Sequence, residues 1–231
     1  MMHLIGEVTY NCINRTGESS EEHGVLLREH AMDIYMDGEF YASVMCTEDK
    51  LEELVLGRLI SDGMIKSADE VKLLKISEDH SVADVECIEI PDVKVQKSKQ
   101  IYYPDEWIFA MADAVETGAK LHEKTGASHG CFLYREGKQI FFCEDIRRHN
   151  TIDKVIGYAV KNKEDLSSCA VYTTGRVPVD MMDKIIIAGI PILVSKGMPS
   201  VQAVELAKEA RITLICGARQ DQMRIYTDYR I

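Results

Sequence analysis

The sequence predicts an α/β protein with a largely parallel sheet covered by helices on both faces, preceded by a smaller α+β unit. From Cys131 onward, β-prone apolar runs alternate with segments whose apolar residues recur at helical spacing. Such alternation is typical of βαβ units and of a parallel sheet. The preceding residues instead contain a hairpin signal, a helix and two short strands. We place the domain boundary between these parts, which gives units at 1–104 and 105–231.

The N-terminal unit contains one clear hairpin and one helix. Asp37 and Gly38 form a favoured two-residue turn between β-prone runs. Thr47 has the side chain of a helix N-cap, and apolar residues follow it at helical spacing as far as Gly63. The predicted elements are a strand or arm at 1–30, a hairpin at 32–45, a helix at 47–63, and strands at 71–76 and 83–90.

The second unit follows a polar, lysine-rich stretch between Pro91 and Pro104, which we interpret as a linker. Apolar residues at helical spacing then predict a helix from Asp105 to about Lys124. The alternating part of the chain comes next. Its predicted order is strands at 131–134 and 139–143, a helix at 149–160, a strand at 170–173, a helix around 181–186, a strand at 192–195, a helix around 201–207 and a strand at 212–216.

Charge is distributed unevenly along the chain. The formal net charge is -11, which argues against nucleic acid as the main partner because phosphate binding requires clustered cations. Residues 1–124 hold 12 Lys and Arg against 26 Asp and Glu, whereas residues 125–231 hold 15 against 12. We therefore expect an anionic ligand to bind the second half.

The apolar residues limit where the protein can be located, and the cysteines limit which redox chemistry it can perform. No run approaches the roughly 18 apolar residues of a membrane helix, so we expect a cytoplasmic protein without a membrane partner. The seven cysteines form no C-x-x-C pair, so the sequence indicates neither a zinc ribbon nor a thioredoxin-type site. We predict no metal site and expect each thiol to be reduced and buried.

Three loops carry residues that suit an anion. In a parallel sheet the loops at the carboxyl ends of the strands surround one crevice. Each of these loops combines glycine or another small residue with a cation, and two of them lead into a helix whose free amides favour anions. Neither a G-x-G-x-x-G nor a P-loop motif occurs. The candidate cofactor-binding residues are Thr174, Gly175 and Arg176, then Ser195 and Lys196, then Gly217, Ala218, Arg219, Gln220, Asp221 and Gln222.

Two segments upstream of these loops are denser in residues that could carry chemistry. His129 is flanked by glycine and stands two residues before Cys131, and residues 144–154 are rich in ionisable and amide side chains. We assign His129, Asp145 and His149 to the cofactor pocket, since a histidine or carboxylate there can orient a cofactor group or move a proton near neutral pH. The alternative for the second cluster is a capped helix start with a solvated face.

These clusters, in their order along the chain, resemble the FdhD family. The resemblance extends from about Met32 to the C-terminal part of the chain. The helix predicted after Met45 is similar to the family's N-terminal helix as well. The segments that carry the resemblance are Met45–Gly57, Thr125–Cys131, Glu144–Lys154, Thr174–Arg176, Ala188–Ser195, Ala203–Ala207 and Ile212–Ile215.

The resemblance implies a cytidine-deaminase-like three-layer α/β/α core joined to the smaller N-terminal domain, in a homodimer. It implies an accessory protein of molybdenum cofactor biosynthesis, a sulfurtransferase that accepts persulfide sulfur from a cysteine desulfurase. The sulfur goes to the molybdenum of bis(molybdopterin guanine dinucleotide), which activates formate dehydrogenase. The stretch from Gly217 to Gln222 aligns with the family's cofactor-binding segment, so we expect that cofactor, or GDP, to bind there.

The chain departs from the family at the loop whose first cysteine carries the persulfide, a C-G-x-C-G motif. The corresponding stretch, Val93–Tyr103, contains no cysteine. Three functions therefore remain open. The protein is a sulfurtransferase that uses another thiol, for which Cys131 is our candidate, or a guanine-nucleotide or cofactor-binding chaperone, or a deaminase-type hydrolase. The last requires H-x-E and a downstream C-x-x-C, whereas His129 is followed by Gly130 and Cys131.

Overall fold

The amino-terminal segment forms a two-stranded antiparallel ribbon. The protein is described by a computed structural model that covers residues 2–88 and 98–231. A 3₁₀ turn at Met2–Leu4 leads into β1 (Ile5–Ile13), which pairs along its whole length with β2 (Ser19–Leu27). Most side chains of the ribbon are exposed or half-buried. The strand or arm that we predicted at 1–30 is therefore a ribbon of two paired strands.

A four-stranded sheet and one helix form the rest of the N-terminal unit. Asp37 and Gly38 have φ angles of 51° and 83°, as the predicted two-residue hairpin turn requires. The predicted N-cap at Thr47 is wrong, because the helix begins after Lys50. The elements are β3 (His30–Met36), β4 (Glu39–Cys46), α1 (Leu51–Ser61), β5 (Val71–Ile76) and β6 (Val82–Cys87), with strand order β4-β3-β6-β5.

Two helices follow where we predicted one. The segment breaks at Ala119, whose φ and ψ of -84° and 67° are not helical, and gives α2 (Asp105–Gly118) and α3 (Lys120–Thr125). Residues 91–97, half of the linker predicted before α2, lie outside the described residues, and so do residues 93–97 of the stretch that lacks the family's cysteine loop.

The C-terminal unit contains a six-stranded mixed sheet and three further helices. Its elements are β7 (His129–Arg135), β8 (Lys138–Asp145), α4 (Arg148–Lys161), β9 (Cys169–Thr173), α5 (Val179–Ile187), β10 (Ile192–Ser195), α6 (Val201–Glu209), β11 (Thr213–Cys216) and β12 (Arg224–Thr227). The strand order is β12-β11-β10-β9-β7-β8. The three central strands β9, β10 and β11 are parallel, but the β7–β8 hairpin and the edge strand β12 are antiparallel to their neighbours, and β12 was not predicted.

Helices cover both faces of this sheet, so the predicted α/β class with three layers is confirmed. Alternate residues of each strand point to opposite faces. Leu133 and Val171 pack in the cluster that contains residues of α4 and α5. Phe132 and Tyr172 pack in a separate cluster with residues of α2. In the described residues, no helix is long and apolar enough to cross a bilayer.

Helix α1 crosses α4 at two glycines and so joins the two units. A Cβ on Gly57 would lie 1.7 Å from the backbone oxygen of Asp153, and one on Gly157 would lie 1.8 Å from that of Glu53. The helix backbones touch here, because no side chain separates them. Buried residues of both units then belong to one apolar cluster, so the boundary predicted near residue 104 separates two sheets that share a core.

Candidate functional site

A crevice of about 490 Å³ opens where the carboxyl ends of β9, β10 and β11 meet α2 and α3. Its volume falls in the range of roughly 300–1,000 Å³ that is usual for small-molecule sites. We call it the edge crevice. Its lining residues are Val115, Glu116, Ala119, His122 and Glu123 from the helix pair, and His129, Thr174, Lys196, Gly197 and Arg219 from the strand ends and loops.

Hydrogen bonds of the Ser195 side chain and backbone hold the three loops of the edge crevice together. The Ser195 hydroxyl donates to the Gly175 carbonyl (2.6 Å) and accepts from the Gly197 amide (3.0 Å). The Ser195 carbonyl accepts from the Ala218 amide (3.0 Å). A Cβ on Gly197 would lie 2.7 Å from the Gly175 oxygen, so only glycine permits this approach. The loops form one rigid frame.

The cations on the loops of the edge crevice are incompletely neutralised. Lys196 Nζ lies 2.6 Å from Glu116 Oε1. Arg219 lines the crevice, whereas Gly175 and Arg176 lie on the loop after β9 and do not line it. Arg176 and Arg219 are exposed, and neither guanidinium pairs with a carboxylate in the described part of the chain. An anionic ligand would supply the missing charge.

His129 is half-buried in the wall of the edge crevice. Burial lowers the pKa of its imidazole, and the charges of Arg148, His122 and Arg176 lower it further, while Asp145 opposes them. Since an unperturbed histidine titrates near pH 6.5, His129 is mainly neutral at pH 7. The adjoining loop is fixed to β7, because the Gly130 amide donates to the Thr174 hydroxyl (2.9 Å) and the Thr174 amide donates to the Gly130 carbonyl (2.9 Å).

Several predicted binding residues support the edge crevice without lining it. Ser195, Gly217 and Ala218 are buried beneath it, and the Ala218 carbonyl accepts from the Tyr172 hydroxyl (2.8 Å). Beyond Arg219 the chain forms an exposed turn, closed by a 2.8 Å hydrogen bond from the Arg219 amide to the Gln222 carbonyl. The turn residues Gln220, Asp221 and Gln222 are exposed and do not line the crevice.

Asp145 is a structural residue, which corrects its assignment to the pocket. Its side chain is fully buried and accepts from Lys154 Nζ (2.6 Å), from the Thr47 amide and hydroxyl (both 3.0 Å) and from Asn150 Nδ2 (2.9 Å). These contacts join the end of β4 to α4 and leave Asp145 shielded from solvent.

His149 lines a different cavity, so its assignment to the same pocket is also corrected. A polar cleft of about 880 Å³ lies between the four-stranded sheet and the helices α1, α4 and α5, and we call it the second cleft. His149 Nε2 lies 2.7 Å from Asp180 Oδ2 there. Burial lowers the pKa of His149, although Asp180 partly opposes this. Arg147 precedes α4 in extended conformation and lines the second cleft together with His149. Arg148 instead faces Gly175, because consecutive helical residues such as Arg148 and His149 point about 100° apart.

Cys131 is not accessible as a sulfur carrier in this structure. Its side chain is fully buried and packs in the apolar cluster with Leu133 and Cys143. Burial raises the pKa of the Cys131 thiol well above its usual range, whereas the thiolate is the reactive form. Of the seven cysteines, Cys12 is exposed and Cys87 is half-buried, while Cys46, Cys131, Cys143, Cys169 and Cys216 are buried.

Thiol labelling of the native protein is expected to follow this order of accessibility. Iodoacetamide at neutral pH should modify Cys12 first and Cys87 more slowly, because alkylation requires access to the sulfur. Mass spectrometry of peptic fragments locates the label, and labelling after denaturation serves as the control. Early labelling of Cys131 in the folded protein would contradict the buried position.

The residues that α2 and α3 contribute were not predicted from the sequence. Glu116 of α2, and His122 and Glu123 of α3, line the edge crevice on either side of the break at Ala119. Glu144 then fixes α3, since its carboxylate accepts from the backbone amides of Leu121 and His122 (both 2.8 Å). Within 2–88 and 98–231, no three His, Cys, Asp or Glu side chains are grouped to hold a metal ion.

Comparison with known proteins gives consistent matches over nearly the whole chain. The sequence model of the FdhD/NarQ family matches residues 27–102 and 87–231. Protein FdhD of Methanocaldococcus jannaschii is 35% identical over 211 residues, 88% of each chain. Sulfur carrier protein FdhD of Geobacillus kaustophilus is 27% identical over 241 residues, 92% of each chain. A crystal structure assigned as a formate dehydrogenase accessory protein from Desulfotalea psychrophila is similar with a TM-score of 0.87 and 27% identity, covering 97% of each chain.

Proposed function

The chain belongs to the FdhD/NarQ family, and on that premise we propose that it is an accessory protein that prepares the molybdenum cofactor of a formate dehydrogenase. Its ligand is bis(molybdopterin guanine dinucleotide). The edge crevice binds one of the guanine nucleotide portions of this cofactor. GDP alone is then a sufficient probe. The relatives' names, sulfur carrier protein and formate dehydrogenase accessory protein, support this role.

The observation that carries the proposal is the set of cations on the rigid loops of the edge crevice. Arg176 and Arg219 have no carboxylate partner in the described residues, and Lys196 Nζ pairs with Glu116. Arginine is suited to phosphate because its planar guanidinium donates two parallel hydrogen bonds. Since Ser195 and Gly197 hold the loops in place before binding, little ordering cost opposes association.

Replacing Arg176 or Arg219 with Ala is expected to weaken GDP binding. Loss of a charge-assisted hydrogen bond costs about 1.5–3 kcal/mol, roughly 10- to 150-fold in affinity. Isothermal titration calorimetry measures the affinity. Arg147→Ala is the matched control, because Arg147 is also exposed but lines the second cleft. Absence of GDP binding to the wild-type protein, or unchanged affinity in both variants, would exclude this site.

The sulfur step separates two forms of the proposal. In the first, a cysteine desulfurase loads an accessible thiol, which passes sulfur to the bound cofactor. In the second, the protein is a cofactor-binding chaperone without sulfur transfer. The second is favoured by two observations: the stretch Val93–Tyr103 lacks the family's cysteines, and Cys131 is buried.

Mass spectrometry decides between these two forms. The full chain is incubated with a cysteine desulfurase and cysteine, and the added sulfur is located with and without a reducing agent. A reducible sulfur adduct on Cys12 or Cys87 supports the carrier form, with Cys12→Ser and Cys87→Ser as the matched variants. Lack of any adduct while GDP still binds supports the chaperone form.

A further inference from the structure

The guanidinium of Arg148 is a cation beside the edge crevice, and no role for it was predicted from the sequence. Arg148 is the first residue of α4, and its side chain lies across Gly175, where a Cβ would stand 2.8 Å from Arg148 Cβ and 3.1 Å from Cδ. The next residue toward the sheet is Thr174, which lines the crevice. Glycine at position 175 therefore leaves the space that the arginine side chain occupies.

The guanidinium of Arg148 has no hydrogen-bond or ion-pair partner among residues 2–88 and 98–231. Its Nε is buried and makes no hydrogen bond in the described residues. Asp145, the carboxylate whose charge acts on nearby His129, is already bound by Lys154 Nζ at 2.6 Å. A buried donor left without an acceptor is costly, so this arrangement favours an anion that arrives from outside.

His129 lines the crevice near Arg148. The charges that act most on its imidazole are those of Arg148 from α4, His122 from α3, Arg176 from the loop after β9, and Asp145 from β8. Three of these four groups are cations or become cationic. The crevice is also lined by charged side chains of α2, α3 and the other two loops, namely Glu116, Glu123, Lys196 and Arg219. A neutral imidazole in such surroundings is able to accept a proton once an anion offsets the positive charge.

We propose that Arg148 and His129 form the subsite of the edge crevice that binds the diphosphate of a guanine nucleotide, and that His129 takes up one proton from solvent as the diphosphate binds. This inference rests on the proposed function, because it assigns a further part of the same ligand site. Arg148 supplies the guanidinium fork for phosphate oxygens. Protonated His129 carries a hydrogen on each ring nitrogen and donates from both, whereas the neutral imidazole donates from only one.

The proton uptake has a defined sign. The pKa of free His129 lies below its usual range, and a bound phosphate raises it. At a pH between the pKa of His129 in the free protein and its pKa in the complex, the complex holds one more proton than the free protein. His129 therefore strengthens binding as pH falls through the pKa of the complex, and its contribution levels off below the pKa of the free protein. The second ionisation of phosphate, at about pH 6, acts in the opposite direction, and it is common to all variants.

Calorimetry with GDP tests the subsite at about pH 6, 7 and 8, on either side of the usual histidine pKa. Measurements in buffers of different ionisation enthalpy count the protons taken up. Arg148→Ala should bind GDP roughly 10- to 100-fold more weakly, with Arg148→Lys intermediate and Arg147→Ala unchanged. His129→Gln should remove the proton uptake and leave only the pH dependence of the phosphate. In the ligand-free protein, NMR titration of His129 should show a higher pKa in Arg148→Ala, since a cation has been removed.

The outcomes separate this inference from the proposed function. If wild-type protein binds GDP but Arg148→Ala binds it as tightly as Arg147→Ala, the subsite is excluded and the proposed function stands. Proton uptake that persists in His129→Gln likewise excludes the role of His129. If the wild-type protein does not bind GDP, both proposals fail. Thermal melting of each variant shows whether it is folded, and Arg148→Lys replaces Arg148→Ala if the latter is not.

Discussion

Replacing Gly157 with Ala is expected to lower the free energy of unfolding by more than about 3 kcal/mol. The added Cβ would stand 1.8 Å from the backbone oxygen of Glu53 and 2.8 Å from the backbone nitrogen of Gly57. Both neighbours are helix backbone and cannot rotate away, so α1 and α4 would have to separate. The equivalent change at Gly57 meets the backbone of Asp153 and should have a similar effect.

Urea denaturation followed by circular dichroism measures the change. Gly118→Ala is the matched control, because Gly118 is also helical but its added Cβ would meet only the ring of Phe132, at 3.2 Å. The ring can shift, and Ala is the better helix former by about 1 kcal/mol, so this variant should stay close to wild type. A Gly157→Ala protein as stable as the control would show that α1 and α4 do not cross at this distance.

Replacing Lys154 with Met is expected to lower the free energy of unfolding by about 3–5 kcal/mol, because it leaves a buried carboxylate without its countercharge. Lys154 and Asp145 are both fully buried, and their charged atoms lie 2.6 Å apart. Lys154 Nζ also donates to the hydroxyl of Thr47 (2.9 Å) and to its carbonyl (3.3 Å). The methionine has a similar length, so the loss is electrostatic rather than a cavity.

Two controls identify the cause of that loss. Lys72→Met breaks an ion pair with Glu86 in which both side chains are largely exposed, and it should leave stability nearly unchanged. The double variant Lys154→Met with Asp145→Asn removes both charges and should recover part of the stability. If the double variant is as unstable as the sum of the single changes, the pair does not act as a coupled buried ion pair.

The sequence alone determined the elements whose pattern is local. The turn at Asp37 and Gly38 requires positive φ at both positions, and the structure has it. Strands and helices from β7 to β11 followed from apolar periodicity, because each element buries one face. The rule that parallel strands open their loops at one edge then placed Thr174, Lys196 and Arg219 around one crevice, and they line it.

The tertiary structure alone decided which charged residues remain available to a ligand. Asp145 and His149 belong to the same charged cluster as Arg148, yet the first pairs with Lys154 and the second with Asp180. Arg148, beside Gly175, has no partner in the part of the chain that the structure describes. Helices on both faces of the sheet likewise bury Cys131, together with its β7 neighbours Phe132 and Leu133. The reason is physical: helical and strand periodicity depend on near neighbours in sequence, whereas the burial and pairing of a charge depend on partners such as Thr47, more than a hundred positions away from Lys154.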